Sequence, residues 1–502
     1  MTPTIDQSRA GARANHRARV RPPAVVAGAL VALLAAACAS APATPDITTP
    51  EATGGPTRSP TALARPVVVV DTDLSGDDTM ALPFLLREPG IDVAAVTVVG
   101  TGLVHCAQGL EGVVNLMATL QVSDIPTTCG RDEPLAGDHA FPEEWRAAAD
   151  DQFGLDLERR PVSMLGQDAP DLIAAIAGSS AQPITIVALG PLTNIAEALQ
   201  RDAGLAGRID RIVAMSGAVD VAGNVSFSAD ESNPLPAEWN VYADPTAADI
   251  VLRSGVPVTL VPLDATNHVP LDAAFLTALE SDHAAAPADI AYELIMRRGL
   301  LPGEYLWDPL AAVIAVDESV AQLETIPLRV ETGEGPDSGR TVRDDNGTAI
   351  RVATSADRDA FEARFLAGLR IGEPRPRPFQ LTGSFAAAFD GEHCTDEAPD
   401  TLAAGNWMVN ADVTAEATTV LVVVRFHEGA GWSDLVDYFA TAQDPTNQPS
   451  FVDAPFFAFF EGPGSGSLLA AVTPGEYGLV CLYFTDAQSL AFPGSGLFTV
   501  EP

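Results

Sequence analysis

Between residues 65 and 371, short runs of wholly apolar residues alternate with amphipathic stretches. The apolar runs predict buried strands at 66–71, 92–100, 184–190, 211–217 and 256–264. The amphipathic stretches predict helices at 79–87, 192–199 and 245–253. Strands that are apolar on both faces and alternate with helices are typical of a parallel sheet covered by helices. We therefore expect an α/β domain with a mainly parallel sheet over residues 65–371.

The pattern changes after residues 372–378, which are rich in proline and arginine and are predicted to be a linker. Beyond them the chain is rich in Phe, Gly and Pro, and strands are predicted at 419–426, 475–484 and 496–502. These short strands predict an antiparallel β-sandwich over residues 379–502. The aromatic stretch 451–462 is interpreted as a core strand of this domain, with a binding rim as the alternative.

The N-terminus has the pattern of an export signal. Five arginines precede an apolar run at 24–38, which is shorter than the ~20 residues of a membrane span and ends in Cys38. Residues 1–38 therefore resemble a bacterial lipoprotein signal in which Cys38 is lipidated, and an ordinary secretory signal is the alternative. Residues 39–64 predict a disordered tether. We expect an exported protein of the cell envelope, lipid-anchored or else secreted.

The strong negative charge of the chain argues against two classes of binding partner, nucleic acids and anionic membranes. The formal net charge of the 502 residues is −39, and every basic residue is arginine. Such a surface repels phosphate backbones and anionic lipids, so we expect no nucleic-acid partner and no membrane contact apart from the anchor. A homo-oligomer remains open.

Four cysteines follow Cys38, and an even number in an exported chain indicates disulfides. The pairing that respects the predicted domain boundaries is Cys106 with Cys129 and Cys394 with Cys481.

The segment 71–78, DTDLSGDD, places four carboxylates directly after the first strand. Like charges this close need a cation or raised pKa values, and carboxylate oxygens suit Ca²⁺ first and Mg²⁺ next. An EF-hand loop starting at Asp71 is excluded, because Leu82 stands at its twelfth position and a strand precedes it. A haloacid-dehalogenase-type phosphatase, with Asp71 as nucleophile and Asp73 as acid, is a weaker alternative because the chain has no lysine to hold a phosphoryl group.

The same segment closely resembles the signature of the inosine–uridine nucleoside hydrolases. Four further segments resemble family segments in the expected order, at 97–101, at 187–199, at 215–224 followed by 237–248, and at 305–313. The resemblance covers residues 65–371 and implies hydrolysis of the N-glycosidic bond of ribonucleosides.

The resemblance also implies roles for individual residues. Ca²⁺ would be held by Asp73, Asp78, Asp308 and the carbonyl of Leu189. Asp73 would accept the proton of a cation-activated water, which attacks the anomeric carbon through an oxocarbenium-like transition state. The substrate would be bound by Asp77, Thr101, Asn224, Glu238, Asn240 and Trp307.

The chain departs from the family next to Asp308. Trp307 stands where many members carry the histidine proposed to protonate the leaving base, and indole is not an acid. His105 and His268 are the possible substitutes. If neither acts as the acid, the alternative is a non-catalytic nucleoside- or ribose-binding lipoprotein.

Overall fold

The structure, a computed structural model, describes residues 65–122, 125–162, 166–226, 235–300, 303–441, 449–460, 462–484 and 489–502. All of them belong to one compact unit. The predicted signal peptide, Cys38 and the predicted tether 39–64 all lie outside these residues. Within the described ranges, no helix is both long and apolar enough to cross a bilayer.

A nine-stranded sheet forms the larger part of the unit. Its strands are β1 Val67–Thr72, β2 Asp92–Val98, β3 Thr127–Cys129, β4 Ile184–Ala188, β5 Ile209–Met215, β6 Val258–Val261, β7 Ala321–Val330, β8 Thr341–Arg343 and β9 Thr348–Ala356. The helices are α1 Asp78–Arg87, α2 Cys106–Thr119, α3 Glu143–Asp150, α4 Ala169–Ser179, α5 Thr193–Arg201, α6 Trp239–Ala243, α7 Pro245–Leu252, α8 Leu263–Thr266, α9 Ala273–Glu280, α10 Ala286–Arg298, α11 Trp307–Val316 and α12 Arg358–Leu369.

The strand order is β3-β2-β1-β4-β5-β6-β9-β7-β8. Strands from β3 to β9 in this order run parallel, whereas β7 and β8 add an antiparallel edge. The predicted mainly parallel α/β sheet is therefore confirmed. The order reverses between β1 and β4, and ligands of such sheets bind at the carboxyl ends of the strands at this reversal.

Each face of the sheet packs against helices in its own hydrophobic core. One core includes Val68 and Val70 of β1 with side chains of α1, α2, α10, α11 and α12. The other includes Val69 with side chains of α4, α5 and α7. The alternation of neighbouring valines between the two cores explains why β1 is apolar throughout.

The C-terminal residues form two further sheets. Their strands are β10 Leu381–Phe389, β11 Cys394–Asp396, β12 Thr401–Ala403, β13 Gly405–Val413, β14 Thr419–Phe426, β15 Val452–Phe460, β16 Gly464–Val472, β17 Gly475–Phe484 and β18 Ser489–Glu501, with helix α13 Trp432–Thr441. The sheet orders are β11-β10-β13-β16 and β12-β18-β17-β14-β15. Most pairs are antiparallel as expected, but β10–β13 and β12–β18 are parallel.

The structure joins the four cysteines in the predicted pairs. The Cys106–Cys129 disulfide connects the start of α2 to β3, and Cys394–Cys481 connects β11 of one C-terminal sheet to β17 of the other. The second disulfide is buried in the core between these sheets.

The predicted linker 372–378 is packed against α10 through a buried arginine. Arg375 is 4% exposed, and its Nη1 donates to Asp289 Oδ2 at 2.9 Å and to Glu293 Oε2 at 2.6 Å. Arg297 donates to the other oxygen of Glu293 at 2.7 Å, and the backbone N–H of Phe379 donates to Asp289. Two positive and two negative charges therefore fix this segment to the helix.

Candidate active site

The acidic loop, residues 71–78, joins β1 to α1 at the reversal in strand order. Leu74 in this loop has a left-handed backbone with φ 49°, which is unusual for a residue other than glycine. Its side chain is buried and lies where a Cβ atom on Gly112 of α2 would overlap it. Burial of Leu74 thus stabilises a backbone shape that costs of order 1–3 kcal/mol.

Asp71 ties the surrounding strands together. Its Oδ1 accepts hydrogen bonds from Thr97 Oγ1 at 2.6 Å and Asn194 Nδ2 at 2.8 Å, and complete burial raises its pKa to about 7. These contacts join β1 to β2 and α5. Asp71 therefore fixes the start of the acidic loop to the neighbouring strand β2 and helix α5.

Four carboxylates form the carboxylate cluster: Asp73, Asp77, Asp78 and Asp308. Oxygens of Asp77, Asp78 and Asp308 lie within 4.8 Å of one another. The carboxylates of Asp73 and Asp308 both lie close enough to that of Asp78 to interact with it, and the backbone N–H of Asp308 donates to Asp77 Oδ2 at 3.1 Å. The structure thus brings all four residues together, with Asp77 rather than Asp73 in the tightest trio.

Burial dominates the electrostatics of the cluster. It raises the pKa of Asp73 and of Asp308 well above the usual range, and the neighbouring carboxylates add to both shifts. The pKa of Asp78 is raised by burial as well, although Thr72 Oγ1 and the backbone N–H of Ser75 donate to its carboxylate. Without a cation, the cluster therefore holds protons that exposed carboxylates would lose.

Two glycines leave the space that the Asp73 side chain occupies. A Cβ atom on Gly102 would overlap the Asp73 carboxylate, and one on Gly190 would lie 2.9 Å from Asp73 Cβ. Gly102 lies between β2 and α2, and Gly190 lies between β4 and α5. The backbone N–H of Leu103 donates to Asp73 Oδ2 at 2.8 Å. Asp73 is thus enclosed by two backbone loops. Their glycines, at or just beyond the ends of predicted strands, are a usable sequence signal for this enclosure, which the motif alone does not predict.

The predicted carbonyl ligand lies at the end of the neighbouring strand. Leu189 follows β4, its N–H donates to Asp71 O at 2.8 Å, and its carbonyl accepts from Asn240 Nδ2 at 3.3 Å. The Asn240 amide also donates to Met215 O at 3.1 Å. Asn240 therefore links the ends of β4 and β5.

Glu238 and Thr101 make contacts different from the sugar contacts expected of them. Glu238 caps α6, because its carboxylate accepts from the backbone N–H groups of Gly217, Asn240 and Val241. Burial raises its pKa to about 7. Thr101 Oγ1 lies 2.8 Å from Thr193 Oγ1. Their contact with the sugar stays a prediction.

The other proposed substrate residues surround the same segments. Asn224 Oδ1 accepts from the backbone N–H of Trp239 at 3.1 Å. The ring of Trp307 lies 5.9 Å from that of Tyr305, and its indole nitrogen is buried without a partner among the described residues. Trp307 begins α11 immediately before Asp308, so it lies beside the cluster.

The two candidate acids differ in their surroundings. His105 immediately precedes α2, its Nδ1 lies 2.8 Å from Asp150 Oδ2, and its side chain is 33% exposed. His268 is exposed and follows α8. A carboxylate partner fixes the orientation of an imidazole ring, so His105 is the better oriented of the two candidates.

Comparison with known proteins identifies the family. The family model described as inosine-uridine preferring nucleoside hydrolase matches residues 68–363. A pyrimidine-specific ribonucleoside hydrolase of Shewanella sp. is 28% identical over 62% of this chain and 98% of its own length. Uridine nucleosidase 1 of Arabidopsis thaliana is 28% identical over 55% of this chain and 81% of its own length.

Solved structures agree with this match. A plant nucleoside hydrolase is 28% identical with a TM-score of 0.54, covering 61% of this chain and 99% of that one. A purine-preferring ribonucleoside hydrolase from Gardnerella vaginalis is 26% identical with a TM-score of 0.52, covering 61% of this chain and 98% of that one. This chain belongs to the inosine–uridine preferring nucleoside hydrolase family and is an enzyme that hydrolyses nucleosides.

Proposed function

We propose that this enzyme cleaves the N-glycosidic bond of ribonucleosides in a calcium-dependent reaction, releasing base and ribose. The observation that carries the proposal is the carboxylate cluster at the reversal of strand order. Its four acidic side chains are supplied by the acidic loop and by α11, and three of their oxygens lie within 4.8 Å. Such a site suits a substrate that combines hydroxyl groups with positive charge developing on its ring.

The donor atoms fit a hard divalent cation. Asp308 is 3% exposed, and its Oδ1 is buried without a partner among the described residues. Carboxylates and a backbone carbonyl are the oxygen ligands that Ca²⁺ prefers. Asp73, Asp78, Asp308 and the Leu189 carbonyl would hold the ion, and Asp77 is close enough to join them. When bound, Ca²⁺ keeps these carboxylates ionised and polarises water and ribose hydroxyls.

Asp73 is the proposed general base. Its carboxylate is held between Gly102 and Gly190 and accepts the Leu103 N–H through Oδ2. An ionised Asp73 accepts the proton of the attacking water at its carboxylate. Asp77 and the amide groups of Asn224 and Asn240 would orient the ribose.

Calcium removal should lower the thermal stability of the folded enzyme. A ligand that binds only the native state stabilises it by about 2.7 kcal/mol at a hundredfold excess over Kd. We expect the melting temperature to fall in chelator and to recover with added Ca²⁺. Asp308→Asn should abolish this response, whereas Asp317→Asn, a half-buried acid at the far end of the same helix, should retain it. Equal melting with and without calcium would argue against the site.

Hydrolysis and its calcium dependence are tested together by measuring ribose released from inosine and uridine. We expect release that stops after chelation and resumes with Ca²⁺. Binding of nucleosides without ribose release would instead support the nucleoside-binding alternative.

Base preference should depend on Trp307. Stacking on indole favours a protonated, cationic ring through a cation–π attraction of about 0.5–2 kcal/mol. Purines offer N7 as a basic site, and uracil has no comparable site. We expect purine ribosides to be cleaved at least about tenfold faster than uridine. Among the similar proteins, the one from Shewanella sp. is named as pyrimidine-specific and the one from Gardnerella vaginalis as purine-preferring.

The measurement is kcat/KM for inosine, uridine and a nitrophenyl riboside, which needs no acid. Trp307→Ala should reduce inosine cleavage and spare the nitrophenyl substrate. His105→Ala and His268→Ala are the comparison variants. Equal cleavage of inosine and uridine, with one histidine variant losing both, would assign the acid to that histidine and reject the stacking explanation.

A further inference from the structure

Arg298 lies between the two segments that carry the carboxylate cluster. Arg298 is the last residue of α10, and its Nη2 donates to Glu304 Oε1 at 2.5 Å. Its guanidinium carbon also lies 5.4 Å from the centre of the Phe153 ring. The side chains of Arg298 and Glu304 are 28% and 13% exposed. The position of the guanidinium is therefore defined by an acid on one side and a ring on another.

The guanidinium also lies directly against the acidic loop. A Cβ atom on Gly76 would overlap Arg298 Nη1. Gly76 is not among the glycines of the described residues that have a positive φ, so its backbone conformation does not require glycine. The close approach of Arg298 explains why this position has no side chain. The arginine thus contacts the backbone immediately before Asp77 and Asp78.

Glu304 belongs to the segment that delivers Asp308. Its backbone carbonyl accepts from Leu271 N at 2.9 Å, which anchors the segment. Burial raises the pKa of Glu304, Arg298 lowers it, and Asp77 raises it. Glu304 is therefore close enough to the cluster to interact with Asp77.

We propose that Arg298 is a positioning residue that holds the acidic loop and the Asp308 segment in register, and so sets the geometry of the cation site. Asp77 and Asp78 come from the first segment and Asp308 from the second, and Arg298 contacts both through Gly76 and Glu304. This inference rests on the proposed calcium-dependent function.

A purely electrostatic role and a positioning role of Arg298 predict opposite changes in Ca²⁺ affinity when this residue is replaced. Removing a positive charge beside a cation site should strengthen cation binding if only Coulomb repulsion matters. Removing the contact that aligns the ligands should weaken it, because oxygen ligands must converge on the ion. The Ca²⁺ affinity of Arg298→Gln therefore separates the two explanations.

The experiment is calorimetric titration of the full chain with Ca²⁺, accompanied by kcat for ribose release at saturating Ca²⁺. We expect Arg298→Gln to weaken Ca²⁺ binding at least tenfold and to lower kcat. Gly76→Ala, which displaces the guanidinium without changing any charge, should weaken binding in the same direction. In a double-mutant cycle, adding Glu304→Gln to Arg298→Gln should cost less than the sum of the single changes.

Arg297→Gln is the matched control, because it removes the same charge one residue away on the same helix. Arg297 pairs with Glu293 in the buried network around Arg375, so its loss should lower the melting temperature and leave Ca²⁺ affinity within about twofold. Unchanged or tighter Ca²⁺ binding by Arg298→Gln would overturn the inference alone. No Ca²⁺ binding by the wild-type enzyme would overturn the proposed calcium site, and this inference with it.

Discussion

Replacing Asp73 by asparagine should lower kcat for inosine by about 10²–10⁴, the usual contribution of a positioned general base. The amide has the shape of the carboxylate and still accepts the Leu103 N–H, so the fold should be retained. It does not accept a proton from water. The measurement is ribose release at saturating Ca²⁺, with melting curves recorded for both proteins.

Asp92→Asn is the matched control for this change. Asp92 is an exposed acid at the opposite, amino-terminal end of β2, so its loss removes the same charge far from the cluster. We expect it to retain wild-type kcat. If Asp73→Asn kept more than a third of wild-type turnover, another group would have to accept the proton.

Replacing Arg375 by methionine should destabilise the protein by about 3–5 kcal/mol, because removing one partner leaves buried charge uncompensated. Asp289 and Glu293, which are 0% and 1% exposed, would lose their shared donor. The free energy of unfolding from a denaturant titration measures the effect.

Arg377→Met provides the control two residues away. The Arg377 side chain is 61% exposed and pairs with Asp156 and Glu158 at the surface. Exposed pairs of this kind contribute about 0–1 kcal/mol, so we expect little change. Equal destabilisation by the two substitutions would mean that the buried network has no special role.

The main sheet was predictable because its strands carry a strong local signal. The four valines of β1 face two separate cores, so each had to be apolar, and the strand begins within one residue of its predicted start. The C-terminal sheets were less predictable in detail. Whether β10 pairs parallel or antiparallel with β13 depends on long connections that leave no periodic signal.

The carboxylate cluster was predictable because the acidic loop is contiguous and follows a buried strand. Its partners were harder to find. The acidic loop contains no basic residue, and the approach of Arg298 to Gly76 at its edge has no signal in the sequence. The capping of α6 by the Glu238 carboxylate was likewise not predicted, and the contact of Glu238 with the sugar stays a prediction. Both outcomes depend on tertiary contacts across distant segments, which composition and spacing do not encode.

The buried network around Arg375 determines where the chain can be divided. Cutting at residue 372 would remove the arginine from a helix that keeps Asp289 and Glu293 inside the protein. An isolated N-terminal fragment ending there would leave these two buried acids without the arginine that pairs with them in the intact enzyme. A fragment extended through Phe379 would keep both the guanidinium and the backbone N–H that donates to Asp289. Engineers who wish to express the nucleoside hydrolase portion alone, or to graft another C-terminal module onto it, should place the junction after this residue.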